Sequence, residues 1–198
     1  MSDSPAVAVP DGGTVRPIVR WGEPVMHRAL QVVTAYDEEL VTLVADMFAT
    51  MYAADGAGLA ANQIGVDLRV FVFDCTDGDD RRVTGAVCNP ELTLPEGSDR
   101  NLDDADEGCL SLPGAFTPCA RPDWARVDGT DHTGARVTHM GEGGTLARCL
   151  QHETDHLNGM VFGDRVPIRA RKRLYKEAAE LAGTFPSDWP VSPRAGSP

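Results

Sequence analysis

The stretch GTLARCLQHETDHLNG, residues 144–159, decides how the rest of the chain is read. Leu146, Cys149, Leu150 and Leu157 recur at the spacing of one helix face, and Asn158-Gly159 supplies a stop, which predicts a helix from about Gly144 to Asn158. The polar run QHETDH interrupts this inward-facing helix, and polar groups at buried positions need partners. Within the run, His152-Glu153-Thr154-Asp155-His156 has the form H-E-x-x-H. Residues four apart lie about 40° apart around a helix and roughly 6 Å along it, so both imidazoles reach one cation. The carboxylate between them then stands beside the cation's water, the arrangement for metal-assisted hydrolysis. With 5 His in 198 residues, the pattern arises by chance on the order of 0.01 times.

The third ligand decides the chemistry. In the extended metalloprotease pattern H-E-x-x-H-x-x-G-x-x-H, the chain has Gly159 at the glycine position but Phe162 where the third His belongs. A later-helix carboxylate would have to be Glu177 or Glu180, which sit among solvated residues such as Arg173 and Lys176. Cys109, in Glu107-Gly108-Cys109-Leu110-Ser111, is the better candidate: one Cys with two His leaves a fourth tetrahedral position open for water. The other cysteines, Cys75, Cys88, Cys119 and Cys149, read as packing. Five cysteines with no C-x-x-C pair suit reduced thiols, not a disulfide framework.

Outward from this centre, Asp37 to Ala53 predicts a helix whose face carries Leu40, Val44, Met47, Phe48 and Met51. Arg69 to Phe73, Ala86 to Asn89, Glu91 to Leu94, Trp124 to Thr130 and Ala135 to His139 read as strands of an antiparallel region, with Asp131-His132-Thr133-Gly134 as a turn. His132 and His139 read as surface or partly exposed residues. A third helix from about Pro167 to Ala182 carries Arg169, Arg171, Lys172, Arg173 and Lys176. Helices at the ends with strands between predict an α+β domain over 15–184. Residues 1–14 and 185–198 read as tails, disordered or loosely docked, the second rich in Pro and Ser.

A net charge of −12 argues against a surface that grips DNA, RNA or anionic lipid as a whole. No stretch approaches the roughly 18 apolar residues of a spanning helix, and the opening MSDSPAVAVPDGG lacks the regions of a secretion signal, so a cytoplasmic protein is expected. One further segment bears on chemistry: in GAGLAANQ, residues 56–63, small residues let a backbone approach a ligand, and Gln63 is an uncharged donor suited to an oxyanion.

GAGLAANQ, EGCLS and QHETDHLNG together resemble, in order and spacing, the three signature motifs of the peptide deformylases. Members of this bacterial family remove the formyl group from the N-terminus of nascent proteins. The resemblance runs from about Arg16 to the end of the third helix. It implies antiparallel sheets around a central metal-binding helix, with N- and C-terminal helices. It also implies one Fe(II) held by Cys109, His152 and His156, with Ni, Co or Zn able to substitute. Glu153 would take the proton of the attacking water and pass it to the departing amine, while the Gln63 amide and the Leu110 N–H stabilise the oxyanion. The peptide would pair with the main chain at Ala57, Gly58 and Gly108. The methionine pocket would include Ala57, Ala105, Thr145, Arg148 and Cys149, several of them smaller or more polar than usual in the family. Glu107 and Arg121 match polar positions that pair and orient the Cys109 loop. The basic third helix is compatible with docking of a monomer on the ribosome. The alternative, a non-catalytic peptide- or ribosome-binding member of the same fold, gives no reason for the whole set Cys109, His152, Glu153, His156 and Gln63 to be intact.

Overall fold

The structure, a computed structural model, describes residues 8–196. Helix α1 spans Glu38–Ala53 and starts where the Asp37 carboxylate accepts a hydrogen bond from the Leu40 N–H. After it come strands β1 (Gly58–Ala60), β2 (Val70–Thr76) and β3 (Arg82–Thr93). Four short strands follow: β4 (Leu102–Asp103), β5 (Asp106–Gly108), β6 (Phe116–Pro118) and β7 (Arg121–Pro122). Then come β8 (Trp124–Thr130) and β9 (Arg136–Glu142), with helices α2 (Gly144–Leu157) and α3 (Ile168–Leu181). One antiparallel sheet has the order β1-β2-β3-β8-β9, and two small ladders pair β4 with β7 and β5 with β6. The α+β architecture around a central helix is therefore as expected.

The alternation of β2 decides what each helix covers. Val70 and Val72 share a core with α1, while Phe71, Phe73 and Cys75 share one with α2, so the sheet lies between the two helices. This explains why VFVF, residues 70–73, is an unbroken apolar run: both faces of the strand are buried. A third core joins α3, through Leu174 and Ala178, to Cys109, Leu112 and Phe162. Helix α2 is thus enclosed on nearly every side, and from Leu146 to Leu157 only Arg148 is not buried.

Three expectations change. The predicted breaks between Ala86–Asn89 and Glu91–Leu94 are one strand, β3, with its register shifted between Cys88 and Glu91. Asn89 sits there at φ 52°, and its side-chain amide closes a pair of hydrogen bonds with the Val33 main chain at 2.8 and 2.9 Å, so the bulge is held by a side chain that reads as a turn former. His132 is buried within its turn, whereas His139 is partly exposed and edge-on to Phe73.

The tails differ most. Residues 1–7 and 197–198 of the expected tails lie outside the described residues. Within the N-terminal tail, Val9 packs on the α1 core and the Thr14 N–H donates to Asp46 at 2.7 Å. At the other end, Phe185 and Trp189 are each only 8% exposed, meet edge to face at 5.2 Å, and join the α1 core. The Ile18 N–H donates to the Trp189 carbonyl at 2.8 Å. A Pro- and Ser-rich composition concealed two aromatics whose burial outweighs the cost of ordering the segment. Trp189→Ala is therefore expected to lower stability by about 3 kcal/mol, the low end for such a truncation because one edge faces a cleft. Urea unfolding measures it, and a change under about 1 kcal/mol would return this segment to the status of a loose tail.

Candidate metal centre

Cys109 Sγ, His152 Nε2 and His156 Nε2 converge in a buried cluster, all within 4.8 Å of one another. The two imidazole nitrogens are 3.1 Å apart, and the sulfur is 3.4 Å from that of His156. Helix geometry brings the histidines together, and the loop after β5 carries Cys109 across to them. His152 Nδ1 lies 2.7 Å from the Glu107 carboxylate, which assigns a ring proton to Nδ1 and turns Nε2 into the cluster. Burial and the charge of His152 hold His156 well below the usual histidine range, and against burial the Cys109 and Glu107 hydrogen bonds hold His152 well above it, so His156 presents a lone pair to a position on the His152 side that a proton or a cation fills. Lone pairs facing each other at this distance repel unless a cation or proton lies between them. One soft and two borderline donors suit a transition-metal ion, so the residues fit the metal that this site implies.

A buried ionic network holds this cluster in place. Arg121 grips both oxygens of Glu107 at 2.7 Å and reaches Asp155 at 2.9 Å. Arg148 adds a second cation on Glu107 at 2.8 Å, and Arg165 a second on Asp155. Burial works against ionised Glu107, but the Arg121 and His152 hydrogen bonds outweigh it and hold the carboxyl well below the usual range. The Glu107–Arg121 pair anticipated from sequence is present. Asp155 and Arg165 were missed as its extension, although Asp155 lies in the polar run that needed partners.

Glu153 stands between the ligands on α2 with its Oε2 buried and without a hydrogen-bond partner among the described residues. Burial pushes its carboxyl up to about 7. Its Oε1 lies against Gly58, where an added Cβ would come within 2.5 Å, so only glycine lets β1 pass this close. Gln63 is 1% exposed; its Oε1 accepts the Ala60 N–H at 2.8 Å, which aims the amide nitrogen at Cys109 Sγ (3.6 Å) and Ser111 Oγ (3.4 Å).

A cleft of about 840 Å³ opens over the cluster. Of the anticipated binding residues, Ala57, Gly58, Gly108, Thr145, Arg148 and Cys149 line it, as does Leu110. Ala105 does not: it lies just before β5, exposed, with its carbonyl taken by the Cys119 N–H at 3.2 Å. The Ala57 carbonyl accepts from Asp74 at 2.9 Å and so faces β2, which by alternation leaves the Gly58 main chain pointing out from the sheet edge. Phe116 and the segment from Trp189 to Arg194 also line the cleft. Sequence reasoning missed them, and only the two aromatics within a Pro-rich stretch hinted at the second.

The model of the polypeptide deformylase family matches residues 15–172. Peptide deformylase 1 of Streptomyces avermitilis is 51% identical over 174 residues, covering 88% of this chain and 80% of that protein. Peptide deformylase 2 of Streptomyces coelicolor is 48% identical over 170 residues, 86% of this chain and 93% of that one. Among solved structures, a peptide deformylase from Legionella pneumophila superposes with a TM-score of 0.75 at 36% identity, covering 86% of this chain and 96% of its own. One from Synechococcus elongatus in complex with actinonin gives 0.73 at 33% identity, covering 89% and 91%. With three separated motifs folded onto one buried cluster and the likeness running through most of its length, the chain belongs to the polypeptide deformylase family.

Proposed function

We propose that Cys109, His152 and His156 hold one Fe(II) ion, replaceable by Ni, Co or Zn, at the site where this deformylase works. The enzyme (EC 3.5.1.88) hydrolyses the formyl amide at the N-terminus of newly made polypeptides and releases formate. The observation that carries the reading is the convergence of one sulfur and two imidazole nitrogens in a buried cluster. A bound ion there supplies Lewis acidity, polarising the formyl carbonyl and acidifying a water.

The protein's own groups do the rest. Glu153 takes the proton of the attacking water on its unpartnered Oε2 and returns it to the departing amine. A carboxyl held near 7 suits both duties, since it exchanges a proton readily at neutral pH. Gln63, its orientation fixed through Ala60, donates its amide N–H to the developing oxyanion together with the Leu110 main chain. The outward main chain at Gly58, with Gly108 across the cleft, pairs with the peptide as an added strand. Thr145, Cys149 and the stem of Arg148 bound the pocket for the first side chain, with Ala57 at its edge. The Arg148 head is held by Glu107, Asp103 and the Cys119 carbonyl.

Formate release from a short formyl-Met peptide, measured anaerobically with Fe(II) or Ni(II) supplied, tests the reading. A folded, metal-loaded protein that releases none would overturn it in favour of the binder. Metal content after anaerobic purification tests the choice of iron. Small, polar pocket residues also predict relaxed selectivity: rates on formyl peptides beginning with Met, Leu and Phe should fall within about ten-fold of one another. A steeper methionine preference counts against that pocket.

The same reading places the enzyme in the cytoplasm as a monomer that meets nascent chains at the ribosome. No helix among the described residues is long and apolar enough to cross a membrane. On α3, Arg169, Lys172 and Arg173 are exposed, while Arg171 pairs with Asp164 and Lys176 with Glu180. Co-sedimentation with ribosomes should be lost when the five cations are neutralised; binding that persists refutes the docking.

A further inference from the structure

One wall of the cleft comes from residues beyond 15–172, the stretch that the family model matches. The segment from Phe185 to Arg194 is a fixed arm. Its two aromatics are buried in the α1 core, Arg20 donates to the carbonyls of Phe185 and Pro186 at 3.2 Å each, and the Ala195 N–H closes on the Thr184 carbonyl at 2.8 Å. Anchored in this way, the arm presents Val191 and Arg194 to the same cleft as Glu153. Val191 is 52% exposed. The Arg194 guanidinium rests 5.9 Å from the centre of the Phe185 ring and has no carboxylate partner among the described residues.

Sheet geometry says which part of a peptide meets this arm. β1 is an edge strand, and the sheet separates the α1 core, which includes the arm's aromatics, from the α2 core, which includes Cys149. A peptide added at that edge sends successive side chains to opposite faces. If the first fills the pocket on the α2 face, the second points to the α1 face, where the arm is. The cleft has room for both: about 840 Å³ is near the top of the range for pockets that take drug-sized ligands.

We propose that the arm determines specificity at the residue after the formylated methionine, with Val191 against the stem of that side chain and Arg194 drawing a carboxylate at its end. The assignment rests on the catalytic reading above, because it uses that site to set the peptide's direction. A glutamate in second place is favoured over a lysine. The net charge of −12 opposes an acidic peptide at long range, and Asp55 and Asp106 also line the cleft, so a change of ratio on mutation is more telling than the ratio itself.

The test compares kcat/KM for formyl-Met-Glu-Ser and formyl-Met-Lys-Ser in the native enzyme, R194Q and R194E, with formyl-Met-Ala as reference. The Glu-to-Lys ratio is expected to fall by roughly three- to ten-fold in R194E and by less in R194Q, through KM more than kcat, and to shrink with added salt. A ratio unchanged in R194E, in a protein that unfolds at the native temperature and releases formate from formyl-Met-Ala, overturns the role of the arm alone. No formate from any peptide with any of the proteins would instead overturn the catalytic reading, and the assignment with it.

Discussion

Glu153→Ala leaves a folded protein that keeps its metal and loses formate release, with kcat down by about 10²- to 10⁴-fold. The carboxylate is not among the three converging ligand atoms, so its loss spares the cluster. Its Oε2 is a buried acceptor without a partner among the described residues, and a group kept in that condition has a use outside the resting structure. Removing it also takes away a buried, unpartnered carboxyl whose charged form burial disfavours, so stability should not fall with activity. Glu153→Gln keeps the shape and cannot carry the proton, and it should lose nearly as much. Parallel assays of formate release and metal content decide the matter, and an E153Q enzyme with more than about a tenth of native kcat would remove Glu153 as the proton carrier.

The second large effect is structural in origin. Arg121→Met takes one cation out of a network in which Glu107 and Asp155 are almost wholly buried. Glu107 keeps Arg148 and His152, and Asp155 keeps Arg165, so the charges are weakened in their pairing but not abandoned. Breaking a buried pair by removing one partner costs about 3–5 kcal/mol, which for a chain of this size is a fall in melting temperature of about 10 °C. Glu107 also fixes the His152 ring, so metal affinity should fall by about 10- to 100-fold. Thermal unfolding and a metal titration read the two effects separately. Normal metal content and turnover in the variant would remove the orienting role.

The two variants bear on different parts of the site, and so did the sequence. His152, Glu153 and His156 were legible from spacing because a helix turns i and i+4 to one side whatever surrounds it. Cys109 lies in a separate segment, and only its context, joined to the resemblance of the three motifs, singled it out. Asp155 lay in the polar run that needed partners, but nothing local marked Arg165 as one of them: their pairing joins α2 to the turn after it. Ala105 failed for the converse reason, since a place two residues before EGCLS says nothing of which way the chain between two short strands turns its side chains.

By itself the sequence determined the helices, the strands β2, β8 and β9, the placing of His152 and His156 on one side of a helix, and the family, because these depend on local periodicity and on motifs whose order survives any packing. Tertiary structure alone decided that the sheet parts two cores, that a buried ionic network steadies His152, and that a Pro-rich end becomes a wall of the cleft. Each of these depends on contacts between residues far apart in the chain, where the burial of a few side chains such as Phe185 and Trp189 outweighs what the composition around them predicts.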